Sequence, residues 1–327
     1  MAVKIFKTLG CVVLSAVITC TCFSTLAMAD SHEHTFVEGI CECGKYEVPF
    51  LTRIPIKEKY AKAIEETGVL ETLDYTTPLY GIDESTEIEK HLQVYLPYGY
   101  DESNQYNVMY IMHGGGESEY YWLNDEPVYE GTKAMGKTTR AVIDNMIADG
   151  KMEPTIFVAP TYVTNDADGN DVTLSDMSGF AQEFRNVIVP FVESKYATYC
   201  NGDVSEGNLI ATRDHRGFAG FSNGSRCAAN GVFMRNLDLV SWFGFYSGPD
   251  PSMGGEGGAT YEDACAAIER FSPDLDINYI YNGDGTSDFA LEGHQTFAYG
   301  LLESMPDRFQ NGKNWCWICF KGGSHAY

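Results

Sequence analysis

Ser222 stands in the stretch RGFAGFSNGS from Arg216 to Ser225, a short apolar run, a turn and the start of helical spacing. Gly220 and Gly224 flank it two residues away on each side. This is the G-x-S-x-G pattern, in which missing Cβ atoms let strand and helix approach closely and the serine oxygen is pushed out of the sheet. A serine hydroxyl is a weak nucleophile at neutral pH, so the turn does chemistry only if a histidine takes its proton and a carboxylate orients that histidine. Only His294 and His325 follow the serine. His294 falls in a segment of helical spacing, whereas His325 lies in a glycine-rich loop directly after a strand, from which it can reach back over Ser222. His325 is the expected general base. Asp284 and Asp288 both follow the strand ending at Tyr281, and either keeps the order Ser, Asp, His. Asp288, at the loop end beside a helix start, is the preferred acid, and Asp284 reads as a turn residue between glycines.

A second element bears on the same chemistry. Val108 to Met112 is a continuous apolar run of strand length, as expected inside a sheet covered on both faces. It empties into His113-Gly-Gly-Gly116, where consecutive glycines leave backbone N–H groups free to point at a bound oxygen. Tyr120, Tyr121 and Trp122 follow at once; they could line a substrate cleft or pack the loop down, and Tyr121 and Trp122 are the candidate substrate contacts.

The elements that must carry these groups alternate. A short helix is expected over 57–67, a strand over 87–97, a helix over 137–148, a strand over 154–160 and a long helix from Met177 to about Tyr196. Beyond the serine come a helix over 223–234, a strand over 239–246, a helix near 261–271, a strand over 277–281, a helix over 291–304 and a last strand over 315–320. Alternation of this kind indicates a mainly parallel sheet with right-handed crossovers, whose active site lies at the carboxyl ends of the strands.

The chain opens with Lys4, Lys7, an apolar stretch from Leu9 to Leu26 and the small-x-small pattern Ala27-Met28-Ala29, which read as a secretory signal peptide over 1–29. A soluble, secreted, extracellular protein is expected. Loss of the two lysines deepens a formal net charge already at −24, which argues against nucleic acid or an anionic membrane as partner. Residues 30–50 form a tail in which His32, His34, Cys41 and Cys43 could ligate zinc, although their spacing within each pair is tighter than the usual C-x2-C. Asp166, Asp168 and Asn170 lack the glycine and glutamate of a calcium loop. Ten cysteines are present, three of them in 1–29, so an odd number remains; Cys316 and Cys319, three apart in one strand, face opposite ways and are not expected to pair. No cofactor is expected.

From about Gln93 to its end the chain resembles carbohydrate esterase family one, which includes feruloyl and acetyl xylan esterases and esterase D-like enzymes. The residues that carry the resemblance are the glycine turn at His113, GFSNG around Ser222, Gly285-Thr-Ser-Asp288 and Gly322-Gly-Ser-His325. The resemblance implies an α/β-hydrolase fold over 51–327, a mainly parallel central sheet with helices on both faces, and ester hydrolysis through an acyl-enzyme. It implies Ser222 as nucleophile, Asp288 and His325 as its partners, and the N–H groups of Asn223 and of Gly115 or Gly116 as the oxyanion hole. Esters on plant cell-wall polysaccharide or oligosaccharide, feruloyl or acetyl, are the implied substrates. Siderophore-ester hydrolysis and a catalytically silent carbohydrate-binding role are the alternatives. Relatives of this kind continue past the histidine into a closing helix, so a chain that stops at Tyr327 is expected to be shortened there.

Overall fold

The computed structural model describes residues 58–164, 177–249, 259–271 and 275–325, together with the backbone of 36–37, 40–41 and 50–52. The signal segment, His32, His34, Cys43 and the Asp166–Asn170 loop lie outside these residues, as does the side chain of Cys41. Among the described residues no helix is long and apolar enough to cross a membrane.

Eleven strands are present among the described residues. β1 (Phe36–Val37) and β2 (Ile40–Cys41) form a small antiparallel pair; β3 (Phe50–Thr52), β4 (Val69–Leu79), β5 (Asp83–Leu96), β6 (Asn107–Met112), β7 (Thr155–Ala159), β8 (Arg216–Phe221), β9 (Trp242–Tyr246), β10 (Tyr279–Ser287) and β11 (Trp315–Ser324) build one sheet. Its order is β3-β11-β10-β9-β8-β6-β7-β5-β4. Every pairing from β3 to β7 is parallel, and the β7–β5 and β5–β4 pairings at one edge are antiparallel, so that β5 alone runs against the other strands. Seven α-helices accompany it among the described residues: α1 (Gly136–Ala148), α2 (Ser178–Glu183), α3 (Val189–Glu193), α4 (Glu206–Ala211), α5 (Asn223–Arg226), α6 (Tyr261–Phe271) and α7 (Leu291–Ser304).

The apolar run of β6 serves two cores because side chains alternate along a strand. Val108, Tyr110 and Met112 face a large cluster with Phe180, Phe184, Phe233, Ile268 and Phe297 from the helical segments on that side. Met109 and Ile111 face the other cluster, with Val142, Ile143 and Met146 of α1. Cys316 packs against the second cluster and Cys319 lies in the first, so the two do point to opposite faces.

From β6 the chain steps to β7 on one side, then crosses to β8 on the other and continues to β9, β10 and β11. The direction of winding therefore reverses between β6 and β8, and a crevice opens at their carboxyl ends, the place where ligands bind in open sheets of this kind. The β6 end delivers the glycine turn and the β8 end delivers Ser222. The base of β8 is fixed by Arg216, fully buried, whose guanidinium pairs with buried Glu193 and donates to Thr212 Oγ1 (2.8 Å) and Leu239 O (3.1 Å). Removing one partner of such a pair leaves an uncompensated buried charge, at a cost of ~3–5 kcal/mol.

Three elements differ from the sequence expectation. Only a single 3-10 turn, Glu58–Ala61, forms in the stretch read as a helix. The segment read as one long helix after Met177 is interrupted by a π turn at Phe184–Ile188. β4 was not expected; it is an edge strand with one solvated face, and its partner β5 begins four residues earlier than its apolar alternation suggests.

Candidate active site

Ser222 has φ 57° and ψ −121°, a conformation that non-glycine residues rarely adopt. The neighbouring glycines show why the chain must turn this way. A Cβ on Gly220 would lie 2.1 Å from Gly224 O, and a Cβ on Gly224 would lie 2.5 Å from His113 O and 2.6 Å from Met112 O. Strand, helix and the end of β6 therefore meet backbone to backbone. The turn is held by Ser222 N–H donating to Tyr246 O (2.9 Å) and by Ser225 N–H donating back to Ser222 O (2.8 Å).

Three side chains meet there. Ser222 Oγ lies 2.9 Å from His325 Nε2, and His325 Nδ1 lies 2.8 Å from Asp288 Oδ1. A carboxylate oxygen can only accept, so Nδ1 carries the proton and Nε2 is left to accept from the serine. Asp288 is buried and fully used: Oδ1 also accepts from Ala290 N–H (2.8 Å), and Oδ2 accepts from Ser247 Oγ (2.7 Å). Burial alone would raise its pKa, but the hydrogen bond and charge of His325, together with the hydrogen bonds from Ala290 N–H and Ser247, outweigh burial and hold it below the usual carboxylate range. Ser247, itself at φ 50°, had no signature in the sequence beyond being a small polar residue just past a strand.

The glycine turn sits opposite. A Cβ on Gly115 would meet Asn223 Nδ2 at 2.8 Å, and Gly116 has φ 75°. His113 is buried beneath the turn. Its Nδ1–H donates to Gly114 O (2.8 Å), so in the neutral ring Nε2 accepts from Thr161 Oγ1 (2.8 Å). Burial pushes His113 down to about 4, which keeps it neutral. With Tyr162 OH also donating to Gly114 O (3.1 Å), that carbonyl is tied inward. Thr161 O in turn accepts from buried Lys90, which pairs with Glu183 (2.9 Å). The roles of His113, Thr161 and Ser247 were not read from the sequence.

Beside the turn opens a cavity of about 580 Å3, lined by Gly115, Gly116 and Asn223, by Glu117 and Glu119, by Lys90 and His91 of β5, and by Tyr129 and Tyr162. Tyr121 and Trp122 do not line it. They are 1% and 4% exposed and belong to the α1-side core, packed edge to face at 5.0 Å. Their expected place in a substrate cleft is corrected accordingly. The loop after the glycines turns them inward because that core has apolar surface to cover.

Asp284 also departs from expectation. It is a buried residue of β10, not part of a turn, because the parallel ladder to β11 continues through Gly283, Asp284 and Gly285. It faces His294, fully buried in α7, with Oδ2 3.1 Å from Nδ1. Asn282 Nδ2 donates to Cys316 O (3.0 Å), which leaves Asn282 Oδ1 to accept from His294 Nε2–H (3.3 Å). Nδ1 of the neutral ring is then an acceptor, and the proton between the two residues belongs to Asp284. Burial, then the charge of Asp288, push Asp284 up to about 9, and burial pushes His294 down to about 3. Asp288 is thus the charged partner of His325, and Asp284 a neutral acid behind it.

These shifts give stability a pH dependence with a definite sign. His113 and His294, depressed, lose stability as pH falls below their ordinary 6.5. Asp284, raised, loses it as pH rises from 3.8 towards 9. Of these three groups, the two histidines outweigh the aspartate between about 4 and 6.5, and above 6.5 only the aspartate still contributes a slope, ~1.4 kcal/mol per pH unit for one proton. Urea unfolding from pH 5 to 9 should show a maximum near 6.5, and Asp284→Asn should flatten the alkaline side. A wild-type curve already flat from 6.5 to 9 would contradict this.

Among the described residues no group of three or more His, Cys, Asp or Glu is arranged to hold a metal ion. The nine-stranded sheet with helices on both faces, carrying a serine on a strained strand-to-helix turn, defines an α/β-hydrolase. No protein-family model matches the chain. The feruloyl esterase module from Clostridium thermocellum, determined as a serine-to-alanine mutant complexed with sinapinate, is 28% identical with a TM-score of 0.66, over 86% of this chain and 90% of that one. A ferulic acid esterase from Anaeromyces mucronatus in complex with ferulic acid, at 22% identity and TM-score 0.59 over 82% and 89%, shares the fold. Endo-1,4-beta-xylanase Y of Acetivibrio thermocellus is 36% identical over 199 residues, which are 61% of this chain and 16% of that protein. An endo-1,4-beta-xylanase/feruloyl esterase of Xylanibacter ruminicola is 29% identical over 170 residues, 50% of this chain and 20% of that protein. The chain thus spans a small part of the length of these curated relatives. Within the α/β-hydrolases it resembles the carbohydrate esterases of the feruloyl esterase type, which are carboxylic ester hydrolases.

Proposed function

We propose that the protein is a secreted serine esterase that removes feruloyl or acetyl groups from plant cell-wall xylan through an acyl-enzyme. The observation that carries this reading is the single line of hydrogen bonds from Ser222 Oγ through His325 to buried Asp288. In the proposed reaction His325 Nε2 takes the Ser222 proton as Oγ attacks the ester carbonyl. The N–H groups of Asn223 and of Gly115 or Gly116 stabilise the oxyanion, and His325 returns the proton to the departing sugar alkoxide. Water, deprotonated by the same nitrogen, then frees the acid and restores Ser222. The feruloyl choice is supported by the likeness to the feruloyl esterase module and by a polar cavity beside the glycine turn, large enough for an aromatic acid and lined by groups that can bind a phenol. Secretion is supported by the pattern of residues 1–29.

The test is release of ferulate and acetate, side by side, from feruloylated and acetylated xylo-oligosaccharides. Ferulate release that disappears in Ser222→Ala is the expected result. Release of neither acid by a folded sample would count against the reading.

A further inference from the structure

Phe289 follows Asp288 and is 67% exposed, yet it is not a loosely placed side chain. Its loop is pinned on both sides: Asp288 N–H donates to Gly285 O (3.1 Å), Ala290 N–H to Asp288 Oδ1 (2.8 Å) and Leu291 N–H to Asp288 O (3.3 Å). The Phe289 ring lies 4.1 Å from the His325 imidazole, centroid to centroid, at 32°. A second ring, the buried Phe221, lies 5.0 Å from the same imidazole. An exposed aromatic face is thus held at fixed position beside the group that handles the proton.

On the proposed esterase reading, the two halves of an ester must lie on different sides of Ser222. The oxygen that leaves is the one His325 protonates, so the alcohol half lies on the His325 side. The cavity beside the glycine turn is lined by Gly115, Gly116 and Asn223, and neither His325 nor Phe289 borders it. It is therefore placed for the acyl half, and Phe289 for the alcohol. An open aromatic ring suits one kind of alcohol well. A sugar ring presents polarised C–H groups on its face and hydroxyls on its rim, so the face can pack on the electron-rich ring while the rim stays in water.

We propose that Phe289 is the stacking platform for the sugar that bears the ester, and so sets preference for a carbohydrate alcohol over a simple one. This rests on the esterase reading, and the test separates the two. Hydrolysis of a feruloylated arabinoxylo-oligosaccharide and of methyl ferulate, which share the acyl group and differ in alcohol, is measured for wild type, Phe289→Ala and Phe289→Trp. The ratio of kcat/KM for the sugar ester to that for the methyl ester should fall about tenfold in Phe289→Ala, mainly through KM on the sugar ester, and return in Phe289→Trp. A ratio that stays at the wild-type value, whether both rates fall together or neither does, overturns the platform. A wild-type protein inactive on both esters removes the esterase reading and the platform with it, an outcome distinct from an unchanged ratio.

Discussion

Replacing Ser222 by alanine is expected to lower kcat for ester hydrolysis by ~10^6, the scale seen when the nucleophile of such a unit is removed, because among the described residues no other oxygen is hydrogen-bonded to His325 Nε2, which lies 2.9 Å from Ser222 Oγ. The residual rate should still exceed that in water, since the glycine turn and the cavity remain. Stability should barely move. Serine and alanine have the same difficulty at φ 57°, and the hydroxyl makes no hydrogen bond that supports the fold apart from the one to His325. Ser222→Gly, by contrast, relieves the backbone and should stabilise by ~1 kcal/mol while being as inactive as alanine. The readout that separates a lost nucleophile from a damaged site is mass spectrometry after rapid quench with a slow aromatic ester. Wild type should gain the mass of one acyl group and Ser222→Ala none. An acyl adduct on the alanine variant, or turnover within tenfold of wild type, would place the nucleophile elsewhere.

The parts of this site that were legible in the sequence are those where a steric demand forces a residue type. Gly220 and Gly224 are fixed by backbone atoms that a Cβ would strike, so the elbow could be read from spacing alone. The helices Tyr261–Phe271 and Leu291–Ser304 were likewise legible from their periodicity, and the fold class follows from the alternation of elements. Glycine misled where the same demand arises inside a strand. Gly283-Asp284-Gly285 looks like a turn, yet Gly285 is small because a Cβ there would lie 2.3 Å from Gly323 O in the adjacent strand. Gly285 marks the close approach of β10 and β11, Gly283 leaves room for the Tyr246 and Tyr281 rings, and Asp284 between them is buried. Tyr121 and Trp122 failed for a different reason. An aromatic pair in an aperiodic loop carries no signal of which way it faces, and only the unfilled surface over β6 and α1 decides. Ser247 and Thr161 act through one hydroxyl each, a feature too common to stand out in a chain.

The second large effect distinguishes the two aspartates. Asp288→Asn should lower kcat by on the order of 10^3, the scale of losing a buried electrostatic partner, while Asp284→Asn should leave it within about threefold. The difference comes from where protons already are. At Asp288 the charge matters in the proposed reaction, where His325 becomes an imidazolium as Ser222 attacks and the carboxylate at 2.8 Å stabilises it. The amide that replaces it is oriented by its surroundings. Ala290 N–H requires an acceptor at the Oδ1 position, so the amide oxygen stays towards His325 and the NH2 turns to Ser247, whose hydroxyl can rotate to accept. His325 therefore keeps its Nδ1–H tautomer, and the further loss towards ~10^4 that a reversed amide would bring is avoided. Removing Ser247 as well takes away the acceptor for that NH2 but leaves the Ala290 N–H at the Oδ1 position, so Ser247→Ala in the Asp288→Asn background is not expected to deepen the loss to the scale of a reversed amide. At Asp284 an amide reproduces the neutral acid atom for atom: NH2 donates to His294 Nδ1 in place of the acid proton, and the oxygen accepts from Gly285 N–H (2.8 Å). Steady-state kinetics at pH 7 on one ester, with both single variants checked for folding by circular dichroism, decides the matter. Equal losses in the two variants would mean that the charge behind His325 is shared between the aspartates, and a larger loss at Asp284 would reverse their roles.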